Sequence, residues 1–287
     1  MAAAVHIPDD WQAAIERIGA ERFARIAVIG ATDTGKSSFV TALMLGDPGL
    51  ELIDADPGQK LVGPPGTVSL GRLAGGRFDL GGFVFIGSTS SANIFLLTRA
   101  CEALARASQR FVANSSGFVE KLGARLQAAT IAALDADCIV ALGDETALAP
   151  ILDRHRERTI IALRPSPSAT RKTSAARARL RQASFAAAID GAGPLDLSDI
   201  AFEPAPPARI GLGGKHPVCS LADADGTDMA IGVLDAGHDG AVRVIARAPD
   251  RPAHVVRLGS MWAERREEGW RLIDTLHPSW VHDEPEG

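Results

Sequence analysis

No tyrosine occurs in these 287 residues, and only three cysteines do. Cys101, Cys138 and Cys219 are widely spaced, lie in largely apolar surroundings and form no CxxC pair. That pattern argues against a disulfide framework and a zinc site, and leaves buried free thiols as the expectation. The seven histidines show no HxxxH or HxH spacing, so none is given a metal or catalytic role; His216, His238 and His254 are expected at surface or turn positions. No apolar run approaches the roughly 20 residues of a membrane span, and Met1–Asp10 lacks the basic-then-apolar layout of a signal peptide. A cytoplasmic protein without a membrane partner is therefore expected. A basic excess is missing too: the net charge of −5 argues against coating nucleic acid by bulk electrostatics, so any such contact must be local.

What is present is enough apolar material, 46% of the residues, for one large domain and a smaller appendage. Through the first two thirds, β-branched runs alternate with helical patterns, the signature of a parallel sheet with crossover helices. Strands are expected at Arg25–Ile29, Leu50–Asp54, Gly82–Gly87, Arg110–Ala113, Cys138–Leu142 and Thr159–Leu163. Helices are expected to start near Lys36, Ser91, Val119, Glu145 and Ser174, with an amphipathic segment, Asp9–Ala20, before the first strand. After Glu203 come Pro204, Pro206 and Pro207, then short strand-like runs at Ala230–Leu234, Ala241–Ala246, His254–Leu258 and Trp270–Ile273. The expected organisation is a P-loop NTPase-type α/β domain with a mostly parallel sheet over residues 1–203. It includes an N-terminal helical segment at 1–24 and is followed by a small β-rich domain at 204–287.

Directly after the first strand and before the first long helix stands Gly30-Ala31-Thr32-Asp33-Thr34-Gly35-Lys36-Ser37, with Ser38 next. This is the spacing GxxxxGK[ST] in the setting it requires. Glycine backbone amides curl round phosphates, Lys36 reaches the β and γ phosphates, Ser37 offers an oxygen to Mg²⁺, and the helix adds its positive end. Gly30, Thr32, Asp33, Thr34, Gly35, Lys36, Ser37 and Ser38 are thus the nucleotide-binding candidates. A guanine-reading Asn/Thr-Lys-x-Asp segment is absent, which favours ATP over GTP. The second strand ends in Asp54-Ala55-Asp56-Pro57-Gly58-Gln59, two carboxylates and an amide at the edge where open α/β sheets bind ligands. One carboxylate would serve Mg²⁺, the other would orient or deprotonate an attacking hydroxyl, and the residues do not say which is which.

These blocks resemble the polynucleotide 5′-hydroxyl kinase family, which includes the kinase subunit of the eukaryotic mRNA 3′-end cleavage machinery and the pre-ribosomal-RNA-processing kinases. The loop resembles the family's G-x-x-D-x-G-K-S/T form, the strand end its D-x-D-x-G-Q, and Pro65–Leu70 its P-G-x-[ILV]-S-L. Asn114-Ser115-Ser116-Gly117-Phe118 is similar to its N-T-x-G-[WY] clasp, with Ser in place of Thr and Phe in place of Trp or Tyr. Lys172–Phe185 is similar to its lid, Arg177 and Arg181 matching an R-x-x-x-R pair on one helical face. The resemblance implies ATP-dependent phosphorylation of the 5′-hydroxyl of RNA or DNA. Lys36, Asp54, Asp56, Arg177 and Arg181 would be catalytic, Ser37 and Asp56 would hold Mg²⁺, and Gln59, Ser115, Ser116, Gly117 and Phe118 would hold the terminal nucleotide. It names no protein partner. The loop and aspartates alone would equally serve a regulatory nucleotide switch acting on a protein, and a solvated basic helix face is the plain alternative for the lid arginines.

Overall fold

Five short apolar runs form the parallel part of the first sheet in the computed structural model, which describes residues 7–91, 93–195, 200–204, 210, 214–236, 242–267 and 269–273. In chain order the first unit contains α1 (Asp9–Glu21), β1 (Arg25–Gly30), α2 (Lys36–Gly46), β2 (Glu51–Ala55), β3 (Thr67–Ala74), β4 (Arg77–Phe85) and α3 (Ile94–Ala107). It continues through β5 (Phe111–Ser115), α4 (Leu122–Leu134), β6 (Cys138–Leu142), α5 (Glu145–Leu152), β7 (Thr159–Leu163) and the first half of α6 (Ser174–Ile189), whose remainder from Gln182 counts with the second unit. The sheet order is β4-β3-β2-β5-β1-β6-β7. The run from β2 to β7 is parallel, and β3 and β4 add an antiparallel hairpin at one side.

Alternation along the strands assigns each side chain to one of two cores. Ile26 and Val28 of β1 pack with Trp11, Ile18, Phe39 and Leu43 from α1 and α2. Ala27 and Ile29 pack on the opposite face with Leu97, Leu126, Ile131 and Ile151 from α3, α4 and α5. Because both faces are covered, the central strands read as continuous apolar runs, and only the hairpin side exposes polar positions.

Several boundaries differ from the sequence reading for identifiable reasons. Strand β3 was not anticipated; its signal is Gly75-Gly76, both at positive φ, which close a two-residue turn into β4. Helix α3 begins at Ile94 rather than near Ser91 because the Asn93 side chain caps it, accepting from Leu96 N at 3.1 Å. Helix α4 begins at Leu122 rather than near Val119 because Lys121 sits at φ 49°.

The second unit is a sheet of β8 (Gly193–Leu195), β9 (Ala201–Glu203), β10 (Lys215–Ala222), β11 (Asp228–Ala236), β12 (Val242–Ala246), β13 (Val255–Arg266) and β14 (Gly269–Ile273). Its order is β14-β13-β10-β11-β12-β8, with β9 beside β13, over a core of Cys219, Leu221, Leu234, Val244 and Val256. The two compact units are Met1–Ile86 with Ser90–Arg181, and Gly87–Thr89 with Gln182–Gly287. Thus β8 and β9, which precede residue 204, pair within the second sheet. His216 is not a surface residue: it is buried on β10, its Nδ1 lies 3.2 Å from Leu234 O, and its ring meets Trp270 edge-on at 4.9 Å. His254 is exposed. His238, Pro206, Pro207, Ala241 and residues 1–6 lie outside the described residues. The three cysteine thiols are free and buried, and burial pushes each up to about 12. Among the described residues no helix is long and apolar enough to cross a membrane.

Candidate active site

The turn after β1 is made of backbone conformations that few residues reach. At Gly30 (φ 154°) a Cβ would stand 2.3 Å from the Leu142 carbonyl oxygen, and at Gly35 (φ 97°) it would stand 2.8 Å from the Trp11 ring. Asp33, between them, has φ 63°, a left-handed position that Asp tolerates better than most residues. The Thr34 hydroxyl ties the loop by donating to Ala31 O at 2.9 Å. Gly35 is the N-cap of α2, so the unpaired N–H groups of that first turn gather at the loop. Lys36 is buried and folds back across it, Nζ donating to Gly30 O and Ala31 O at 2.8 Å each. Burial draws its pKa down to about 8, opposed by the nearby carboxylates of Asp56 and Asp33.

The two aspartates of β2 and its end face different surroundings. Asp54 is fully buried: Oδ2 accepts from Leu61 N at 2.5 Å and Val62 N at 3.2 Å, and Oδ1 accepts from Asn114 Nδ2 at 3.1 Å. Lys60 Nζ lies 3.6 Å from Asp54 Oδ2 and donates to Asp54 O and Thr67 O. Burial lowers the pKa of Lys60, with Asp54 opposing. Asp54 therefore holds the β2–β3 connection in place. Asp56 is half-buried, and its Oδ1 accepts from Gly58 N and Gln59 N at 2.9 Å each. Burial raises its pKa, the Asp54 charge adds to that rise, and the two N–H donors and Lys36 oppose it.

Beyond β5 the chain crosses over the phosphate loop. A Cβ on Gly117 would stand 2.3 Å from Thr32 Oγ1 and 2.6 Å from Thr32 Cα, so only glycine allows this approach. Gln127, buried on the largely apolar helix α4, donates to Ser116 O at 2.8 Å and to Phe118 O at 3.2 Å, fixing the turn. The cover segment docks on the loop from the other side. Arg177 Nη2 reaches Asp33 Oδ2 at 2.5 Å, Lys172 N donates to the same oxygen at 3.2 Å, and Gln59 Nε2 donates to Arg177 O at 3.4 Å. Arg181, one turn further along α6, is partly buried; burial lowers its pKa and the Asp56 charge opposes the shift.

These elements enclose a cavity of about 320 Å³. Of the residues expected from the sequence, Thr32, Asp33, Gly35, Lys36, Ser37, Ser38, Asp56, Gln59, Ser115, Gly117 and Arg177 line it. Gly30, Thr34, Asp54, Ser116, Phe118 and Arg181 do not; Gly30, Thr34, Asp54 and Ser116 support the walls, and Phe118 is 42% exposed outside them. The site also holds residues that the sequence reading gave no individual role, Ser168, Ala169, Thr170 and Lys172 of the cavity lining among them. Asn114 lines the cavity, Lys60 and Gln127 hold its walls, and Gly123 packs so closely on Phe118 that a Cβ would lie 2.6 Å from its carbonyl. For Gln127 a signal existed, an amide in an apolar helix; for Lys60 none did.

The chain has recognisable relatives. Residues 30–188 match the family described as mRNA cleavage and polyadenylation factor CLP1 P-loop. A polyribonucleotide 5′-hydroxyl-kinase of Pyrococcus furiosus is 30% identical over 192 residues, 61% of this chain and 54% of that protein. Its counterpart in Pyrococcus horikoshii is 28% identical over 191 residues, 61% of this chain and 53% of that protein. The chain therefore spans about half the length of the curated relatives it matches. A solved structure of Clp1p with Pcf11p, described as giving the structural basis for ATP loss in a point mutant, aligns with a TM-score of 0.66 at 16% identity, covering 86% of this chain and 77% of that one. At that identity the likeness is one of fold.

Proposed function

Since this chain belongs to the CLP1 P-loop family, we propose that it is an ATP-dependent polynucleotide 5′-hydroxyl kinase. The observation that carries the reading is the single cavity into which Lys36, Asp56, Ser115 and Arg177 all open. A phosphate-binding lysine, a carboxylate, an acceptor-side hydroxyl and a cover arginine around one volume are what phosphoryl transfer to a hydroxyl needs. A nucleotide switch has no need of the acceptor-side hydroxyl. RNA is the favoured acceptor, because the relatives are named polyribonucleotide kinases.

On this reading ATP places its phosphates along Gly35–Ser38, and Lys36 exchanges the carbonyls of Gly30 and Ala31 for β and γ oxygens. The Ser37 hydroxyl and the Asp56 carboxylate are hard oxygen donors on the same cavity, a set that suits Mg²⁺ shared with phosphate oxygens. Mg²⁺ bound there would neutralise charge on the β and γ phosphates. Asp56, the aspartate of the pair that lines the cavity, has a second carboxylate oxygen to accept the proton of the acceptor's 5′-hydroxyl. The 5′-oxygen then bonds to the γ-phosphorus as the bond to the β–γ bridging oxygen breaks, releasing ADP. Arg177, held over the loop by Asp33, and Arg181 behind it stabilise the charge in flight. Ser115 and the clasp turn hold the terminal nucleotide, with Phe118 beside its base. Residues 168–190 act as the lid of the kinase domain expected over 1–203, and the second sheet, which takes in β8 and β9 before the expected boundary at 204, forms the accessory domain.

The test is transfer of labelled γ-phosphate from ATP to short single-stranded RNA and DNA with 5′-hydroxyl ends. Label on either that vanishes in Lys36→Ala and Arg177→Ala supports the kinase. ATP hydrolysis that persists in Arg177→Ala, with no label on any acceptor, would leave a switch protein instead.

A further inference from the structure

Two aromatic rings of the first unit stand in solvent. Phe95, in the first turn of α3, is 65% exposed, and Phe118, just before α4, is 42% exposed. Helix α3 leads into β5 and α4 leads out of it, so both helices begin at the edge of the sheet that carries the phosphate loop. The two helices share one core, Leu97 and Cys101 of the first packing with Leu126 and Ile131 of the second. Their first turns are therefore neighbours. Exposed cations accompany the rings: Arg99, whose guanidinium lies 5.6 Å from the Phe95 ring centroid, then Lys121 and Arg125. Glu120 is the acid among them, and Glu102, one turn beyond Arg99, is paired with Arg106.

We propose that this surface, Phe95 and Arg99 with Lys121 and Arg125, binds the acceptor strand beyond its terminal nucleotide. The inference rests on the kinase reading for its substrate class, and it names single-stranded polynucleotide as the occupant. The argument is charge and shape. In a chain of net charge −5, three cations interleaved with exposed rings form the local exception that an extended polyanion requires. Rings offered to solvent stack on any base, whatever the sequence, and a guanidinium against one face leaves the other for the base. The terminal nucleotide at Ser115 and Phe118 would thus be followed by nucleotides crossing from α4 to α3, with Lys121, Arg125 and Arg99 along the phosphates.

Full-length protein would be titrated with 3′-fluorescent, 5′-hydroxyl RNA of one, four and eight nucleotides, without ATP, by anisotropy at several salt concentrations. Affinity should rise with length in the wild type. In Phe95→Ala/Arg99→Ala the octanucleotide should bind about tenfold more weakly, with the salt slope reduced by about 0.7 for the lost phosphate contact. Phe95→Trp should restore the length dependence, which a folding defect would not allow. Length-independent wild-type binding, or a double variant that binds the octanucleotide with wild-type affinity and slope, would overturn the proposal and point to a protein partner on this face. Length-dependent binding without label transfer to any acceptor would sink the kinase reading while leaving this surface intact.

Discussion

The phosphate loop and the lid reach one cavity by opposite means. The loop is fixed by backbone: Gly30 and Gly35 at positive φ, Thr34 tied to Ala31 O, and Lys36 buried against its own carbonyls. The lid is fixed by side chains, chiefly Arg177 on Asp33, supported by Lys172 N and Gln59. Backbone constraints persist through a reaction cycle, whereas a carboxylate–guanidinium contact can be exchanged for a phosphoryl oxygen. The difference explains an oddity, a carboxylate inside a phosphate-binding loop. On the proposed kinase reading, Asp33 would repel ATP if it stood alone, but paired with Arg177 it would hold the lid until phosphate takes the arginine over.

Substitutions can break this comparison in order of expected effect. Lys36→Ala should reduce label transfer by about 10⁴-fold and weaken ATP binding, because the loop cannot replace its cation. Arg177→Ala should reduce kcat by about 10³-fold with little change in the ATP KM, since the lid acts on charge that develops during transfer. Equal KM increases in the two variants would remove the distinction. The paired aspartates sharpen it on the strand side. Asp54→Ala strands buried Lys60 and should cost about 3–5 kcal/mol in denaturant unfolding, whereas Asp56→Asn should leave stability nearly unchanged and lose about 10²-fold in turnover. Asp33→Asn should speed hydrogen exchange in the first turn of α6 in nucleotide-free protein and tighten ATP binding severalfold, as a negative charge leaves the loop. The smallest effect is on pH. Lys36 is cationic below about 8 and neutral above it, so ATP affinity should fall about twofold by pH 8 relative to pH 6.5 and more steeply beyond, with proton uptake on binding measurable by calorimetry.

Much of this was legible in the residues because it is local. The central strands are buried on both faces and appear as apolar runs, and the loop motif carries its own strand and helix context. The carboxylates of β2 show the limit. Asp54 and Asp56 stand on either side of Ala55, and nothing in the sequence says which of them faces a ligand. Their surroundings differ because Asn114 and Lys60 arrive from β5 and the β2–β3 connection. Phe118 likewise matched a substrate position, but its exposure, and its company with Phe95 and Arg99 from another helix, depends on how α3 and α4 pack.

The sequence by itself determined the central parallel strands, the alternation of helices between them and the phosphate loop, since each depends on residues a few positions apart. The tertiary structure alone decided which aspartate faces the cavity, that Asp33 grips Arg177 from 144 positions away, and that Gly117 lies against Thr32. Such contacts follow from strand order and close packing, which place distant segments together and which no local pattern encodes.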